Sequence, residues 1–352
     1  MSRAPATRDL LAEDAARGIE VRHRLTAIRE LLAARGATAA LLKTRRNFAW
    51  ATAGGANHVV LASQDGAVPL LVTPSEAVAI APINEAARIA DEEVAGLPVE
   101  VASVPWEDPD AIEERARQRT QGTPLSDDDL EADLMPLRAV LSAFDQGRMT
   151  SLGEQTIRAM RAAFEEAGPG VSEQEVAARA IASLAQQGVR APVVLAAADE
   201  RISRYRHPLP TATVAKRRLM LVLVAERWGL HVALTRILDF EPPEAELRRR
   251  SQAVSQILEE MRSASRPGQT LGEVLATAVS AYERAGFHDE WRLHHQGGLI
   301  GYQGRERIAT PGDLTRIEAG MAFAWNPSIT GAKVEETFIL QADGSARVIA
   351  PV

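Results

Sequence analysis

The sequence predicts a two-domain α+β protein, and three observations carry that expectation. Its 352 residues are about twice a common domain length. The first third sets one amphipathic run against short apolar segments, whereas the rest alternates long helical periodicities with apolar runs that read as strands. No low-complexity stretch or short repeat interrupts either part. We place the boundary near Pro136, giving domains of 1–135 and 136–352.

In the first domain Val21, Leu25, Ile28, Leu31 and Leu32 recur at helical spacing and Gly36 ends the run, which predicts a helix over 18–35. The apolar runs 39–42, 59–62 and 68–72 predict strands, with Gly54-Gly55 and Asp65-Gly66 at the turns and the last two runs resembling a hairpin. Residues 105–135 are rich in Asp, Glu, Pro and Gly with weak periodicity, so they predict an exposed domain end, partly helical over 110–118.

In the second domain, helices are predicted over 148–167, 173–187, 244–264 and 271–285. Ser172 with Glu175, and Thr270 with Glu273, each offer a hydroxyl and a carboxylate to the open end of a first turn. Strands are predicted over 193–197, 219–225, 230–238, 321–325 and 337–340, forming a mainly antiparallel sheet covered by those helices.

Composition excludes several function classes. With 46% hydrophobic and 25% charged residues the chain can bury a large core. Its net charge of -7, from 47 acidic and 40 basic residues without a long run of one sign, argues against nucleic acid or a membrane surface as partner. The absence of cysteine removes disulfides, thiolate zinc sites and cysteine nucleophiles. With no signal-peptide pattern and no apolar run near the roughly 20 residues of a membrane span, a cytoplasmic location is expected.

Three clusters carry candidate chemistry, all in the second domain. Arg201 to Pro208 is a basic loop ending in His207, which the following proline holds extended. His294-His295-Gln296-Gly297-Gly298, continuing to Gly301-Tyr302 and Arg305-Glu306, mixes glycines with polar side chains in the manner of a pocket wall. Trp325-Asn326-Pro327 and Lys333-Val334-Glu335-Glu336-Thr337 make the third. Each also has a bland reading, as a solvated loop, a packed histidine pair and a core strand.

The order Arg206-His207-Pro208-Leu209-Pro210, Gly229-Leu230 to Leu234-Thr235-Arg236, His294 to Gly297 and Gly301, Gly320-Met321-x-Phe323 to Pro327, and Val334-Glu335-Glu336-Thr337 resembles the creatinase and aminopeptidase P group of pita-bread proteins. The likeness is specific over the last 150 or so residues and weak over the first 135. It implies an N-terminal creatinase-like α/β domain followed by a pita-bread domain. In metallopeptidases of that group two Asp, one His and two Glu hold a pair of divalent ions. Here those positions fall on Val222, Ala233, Gly298, Asn326 and Glu335, so the resemblance implies the fold but not the dinuclear site, and no metal or other cofactor is expected.

Creatinase is the informative relative, because it cleaves a C–N bond without metal, using a histidine base that matches His207. Its arginine for the substrate carboxylate lies in a Gly-Arg-Glu segment repeated here as Gly304-Arg305-Glu306. Its two guanidinium-binding glutamates fall on Thr235 and Asn326, which argues against creatine itself. The resulting expectation is a metal-independent hydrolase or lyase acting on a C–N bond of a small carboxylate-bearing molecule. His207, Glu335 and His294 are the catalytic candidates, and Arg305, Asn326, Gln296, Thr235 and Tyr302 are the substrate-binding ones. By the same resemblance the protein is expected to be a homodimer in which Trp50 and His58 of one N-terminal domain complete the neighbour's site. Two alternatives stand beside this: an inactive pita-bread module that binds a peptide or protein, and an Xaa-Pro-type peptidase with an atypical metal site.

Overall fold

A computed structural model describes residues 7–351. The chain divides into two compact units, residues 1–138 and 139–352. The boundary read near Pro136 falls within a helix, Asp127–Ala139.

The first unit contains α1 (Thr7–Ala34), β1 (Ala40–Thr44), α2 (Arg45–Ala51), β2 (Asp65–Val72), β3 (Ala77–Pro82), α3 (Ile83–Arg88), β4 (Glu100–Val104), α4 (Ala111–Gln118), β5 (Leu125–Ser126) and α5 (Asp127–Ala139). Its sheet runs β4-β3-β2-β1-β5, antiparallel in the middle and parallel at both edges. The predicted stripe of α1 packs inward, with Val21, Leu25, Ile28 and Leu32 buried.

Two expectations for this unit are corrected. The run 59–62 is no strand: Val59, Val60 and Leu61 are exposed in a turn. β1 already pairs with β2 on one side and β5 on the other, so no edge of β1 remains for a further partner. Nor is 105–135 merely an exposed end, because it supplies β5 and most of α5. There the buried Asp127 carboxylate accepts hydrogen bonds from Lys43 N (2.6 Å), Thr44 Oγ1 (2.6 Å) and Asn47 Nδ2 (2.7 Å). Three donors from 80 or more residues away order a segment whose own periodicity is weak.

The second unit contains α6 (Ala143–Glu165), α7 (Glu173–Ala185), β6 (Arg190–Ala198), α8 (Glu200–Arg204), β7 (Arg218–Arg227), β8 (Leu230–Asp239), α9 (Ala245–Ala264), α10 (Leu271–Arg284), β9 (Gly297–Ile300), β10 (Arg307–Ile308), β11 (Ala322–Trp325), β12 (Ser328–Ile329), β13 (Ala332–Lys333), β14 (Glu336–Leu340) and β15 (Ala346–Ala350). Both predicted capping boxes form, at Ser172 with Glu175 and at Thr270 with Glu273. All strand pairings here are antiparallel, in a β6-β7-β8 sheet, a β10-β9-β11-β14-β15 sheet and a β12-β13 ribbon. Helix α6 packs on β8 and α7, and α9 packs on α10 and β13. The two larger sheets meet where Thr235 N donates to Glu335 O at 3.2 Å. That junction places side chains from separate sheets around one cavity.

Candidate active site

Two carboxylates, the buried Glu173 and the partly exposed Asp199, hold the loop that presents His207. Glu173, fully buried at the start of α7, accepts from Ala198 N (2.8 Å), Arg201 Nε (2.8 Å), Thr211 N (2.9 Å) and Thr211 Oγ1 (2.7 Å). Asp199 accepts from the backbone N–H groups of Lys216, Arg217 and Arg218. These contacts fix both ends of the segment between β6 and β7, and His207 lies inside it.

The opposing histidines come from the chain entering β9. A short 3₁₀ turn, Glu290–Leu293, releases His294 into an extended conformation. His294 Nε2 lies 2.9 Å from His207 Nε2, and His294 Nδ1 lies 2.5 Å from the carbonyl of His295. A carbonyl only accepts, so Nδ1 carries the proton and His294 Nε2 offers a lone pair to His207. The His295 ring stacks on His294 with centroids 4.4 Å apart. Burial, aided by the positive charge of Lys333, pushes His294 down to about 2, and burial with Arg305 pushes His295 down to about 4. His207, an exposed residue whose ring lines the cavity, is also lowered, by partial burial and then by Lys333, with Glu335 opposing.

Opposite the histidines sits a charged group from the sheet junction. Glu335 is 1% exposed; Thr235 Oγ1 donates to its Oε2 at 2.7 Å and an Arg305 guanidinium nitrogen donates to its Oε1 at 2.5 Å. Burial alone would raise this carboxyl, but the charges of Arg305 and Lys333 and these hydrogen bonds carry it below the ordinary value. Burial pushes the Lys333 ammonium down to about 8, against the attraction of Glu335. His207, His295, Arg305, Asn326, Lys333 and Glu335 line one cavity of about 330 Å³. The cations Arg305 and Lys333 outnumber the Glu335 anion there, and the buried atoms Arg305 Nε and Asn326 Oδ1 have no hydrogen-bond partner. Such groups need a ligand or water to satisfy them. The surplus positive charge favours an anion.

The structure thus brings His207, Arg305, Asn326 and Glu335 together, with His294 joined through His207. Other expected contacts are corrected. Gln296 is buried, donates to the carbonyls of Trp291 and His294, and accepts from the Tyr282 hydroxyl, so it braces the histidine segment and has no group left for substrate. Tyr302 is buried and donates to Asp145 at 2.7 Å. Thr235 is fully buried and serves Glu335. In the first unit Trp50 is 4% exposed, with Arg24 5.9 Å above its ring, so it is core and has no free face for a neighbouring subunit. His58 is partly exposed on the loop after α2. The sequence reading missed Lys333 and His295 as cavity residues. Lys333 carried one signal, a rare lysine two positions before Glu335.

The dinuclear centre of the metallopeptidases that the sequence resembles finds no donor set here. Val222 and Ala233 are buried apolar residues on paired strands. Gly298 admits no side chain, since a Cβ there would lie 2.0 Å from the Arg307 carbonyl oxygen. Asn326 is neutral, and Glu335 is held by Thr235 and Arg305. Hard divalent ions need several anionic oxygens, so these residues do not fit the pair. Among the described residues, a single cluster of three or more His, Asp or Glu side chains is close enough to share an ion: His207, His294 and His295.

No curated protein matches the chain at a significant level. Among solved structures it is similar to an Xaa-Pro dipeptidase from Bacillus anthracis, with a TM-score of 0.78 at 17% identity over 94% of this chain and 98% of that one. The prolidase from Pyrococcus horikoshii OT3 gives 0.75 at 19% identity over 94% and 98%. The N-terminal domain of FACT complex subunit SPT16 from Cicer arietinum gives 0.69 at 12% identity over 94% and 96%. At such identities these likenesses establish the fold alone, a pita-bread domain preceded by an α/β domain. The model of metallopeptidase family M24 matches residues 147–347, more than half of the sequence, and the chain therefore belongs to that family.

Proposed function

We propose that the protein hydrolyses the C–N bond of a small, carboxylate-bearing, dipeptide-like substrate. The observation that carries this reading is the convergence in one cavity of His207, which His294 contacts from behind, with two cations and two unpaired polar atoms. Family membership supports a peptidase-type reaction, and the names of the solved structures, an Xaa-Pro dipeptidase and a prolidase, favour a dipeptide.

In this reading Arg305 Nε and Lys333 Nζ hold the substrate carboxylate, and Asn326 Oδ1 accepts a substrate N–H. The proton on His207 Nε2 is committed to His294, so His207 Nδ1 carries the free lone pair. Water adds to the amide carbonyl carbon as its proton passes to His207 Nδ1. The C–N bond then breaks, and the same proton passes to the leaving nitrogen. Nothing in this route uses the metal ligands whose positions are taken here by Val222, Ala233, Gly298 and Asn326.

The test is a panel of dipeptides, Xaa-Pro members included, assayed for amine release by wild type and His207→Ala with and without chelator. Turnover should fall by roughly two to four orders of magnitude in the variant. Binding of the dipeptides without amine release would replace hydrolysis with the binding-module reading, which the match to a domain named as a complex subunit favours.

A further inference from the structure

We propose that His207, His294 and His295 form a site for one borderline divalent cation, of the Zn²⁺, Ni²⁺ or Cu²⁺ kind, and that filling it withdraws His207 from proton transfer. The second half rests on the function proposed above; the first does not. The site differs in place and donor type from a carboxylate-bridged pair of ions, since its three ligands are imidazoles.

Geometry comes first. The three candidate ligand atoms lie within 4.8 Å of one another. With metal–nitrogen bonds of about 2.0–2.1 Å, the 2.9 Å between the Nε2 atoms of His207 and His294 corresponds to an N–M–N angle of about 90°. Opening that pair by a few tenths of an ångström reaches a tetrahedral angle, and His207 sits on an exposed loop position that can supply the movement.

Ligand chemistry agrees. His294 Nδ1 donates to the His295 carbonyl, which aims the Nε2 lone pair at the cluster; backbone carbonyls orient metal-binding histidines in this way. The third ligand requires a concession from His295, whose Nδ1 accepts a long 3.3 Å hydrogen bond from Gly297 N. Ligation through either ring nitrogen gives up that bond and no other side-chain hydrogen bond shown for His295. Neutral nitrogen donors without a carboxylate select borderline and soft ions over Mg²⁺, Ca²⁺ or Mn²⁺. The nearby cations Arg305 and Lys333 oppose a dication, so binding is weaker than at a closed structural zinc site.

Exclusion of catalysis follows from the tautomers. Without an ion, His207 Nε2–H donates to His294 and Nδ1 is basic. With an ion, both Nε2 atoms ligate and the remaining His207 proton moves to Nδ1, which then has no lone pair for water.

The test is equilibrium dialysis of the chelator-stripped full chain against ZnCl₂ alone, without substrate. One zinc per chain is expected, with affinity reduced more than about tenfold by His294→Ala and by His295→Ala. Because His294 is buried, thermal unfolding curves of both variants check that the fold persists, and His207→Ala, at an exposed residue, repeats the test if they do not. No zinc bound, two zinc ions per chain, or loss of binding in Glu335→Gln but not in His295→Ala would each overturn the site. In a separate arm, turnover of the best dipeptide should fall in parallel with zinc occupancy; stimulation by zinc would overturn the exclusion while leaving the dialysis result standing.

Discussion

The Nε2 atoms of His207 and His294 stand 2.9 Å apart, although the two residues are 87 positions apart in sequence. Only one of these nitrogens can carry a proton when both rings are neutral. The carbonyl of His295 decides which, because it takes the Nδ1 proton of His294 and leaves His207 as donor across the gap. His294 is therefore a positioning residue for the base. Replacing it with Phe keeps a ring in the buried space but removes the acceptor, so His207 loses its tautomer preference. We expect turnover to fall about 10- to 100-fold with KM little changed. Equal loss in both constants would mean that His294 touches substrate instead.

Lys333 is buried against the cavity, and the Glu335 carboxylate that attracts it is already hydrogen-bonded by Thr235 and Arg305, so its charge is available to a substrate anion. Lys333→Met keeps the stem and removes the charge. KM for a carboxylate-bearing dipeptide should rise by about 10- to 100-fold, and the effect should vanish with the matching C-terminal amide. A variant that discriminates acid from amide as wild type does would assign the carboxylate to Arg305 alone.

Much of the second unit was legible from sequence because its signals are local. Ser172, Glu175, Thr270 and Glu273 cap helices within four residues of themselves, and the paired β7 and β8 carry long apolar runs. What escaped depends on distant partners. The acidic stretch before Pro136 gives only weak periodicity, and the donors that order it lie in β1 and α2. Val59 to Leu61 has strand composition without a strand edge to join. At the site, motif order located His207, Arg305, Asn326 and Glu335. It did not separate Gln296, whose amide is used up by Tyr282, Trp291 and His294, from a residue facing substrate.

Gly298 tests whether the histidine implied by the resemblance could be restored. It pairs with Ala324 on one side and Ile308 on the other, and any Cβ meets the Arg307 carbonyl at 2.0 Å. That atom belongs to the backbone, so relief requires the β9–β10 pairing to shift. Gly298→Ala should cost on the order of 3 kcal/mol in urea unfolding. Gly298→His should cost at least as much and should not bring a second metal ion into the protein.

The pH dependence follows from the charges facing His207, namely Lys333, Arg305 and Glu335, with the neutral rings of His294 and His295 beside it. Its pKa lies below the ordinary histidine value, so the base form is present at neutral pH and is lost only as pH falls through the lowered value. We expect the acid limb of kcat/KM to have its midpoint below about 6.5. The alkaline limb should reflect loss of the carboxylate-binding charge of Lys333, with its pKa near about 8, and should disappear in Lys333→Met. An alkaline limb that survives this change would belong to another group.

Glu173 is the most demanding structural contact near the site. Its carboxylate accepts four hydrogen bonds, and Thr211 N, Thr211 Oγ1 and Arg201 Nε belong to the segment that carries His207, while Ala198 N ends β6. In Glu173→Gln one oxygen becomes an NH₂ group, which faces either the Thr211 donors or the Ala198 and Arg201 donors and leaves that pair unsatisfied in a buried place. Loss of one charge-assisted pair there should destabilise the protein by about 3–5 kcal/mol in urea unfolding. Glu173→Asp keeps the charge but, one methylene shorter, cannot reach both sides, so it should recover only part of the stability. Because the segment sets the distance from His207 to His294, kcat should fall in step with the lost anchoring while KM, set by Arg305 and Lys333 on other strands and loops, stays within about twofold. If kcat in Glu173→Gln remained at the wild-type value, the placement of His207 would have to rest on Asp199 and the proline that follows it.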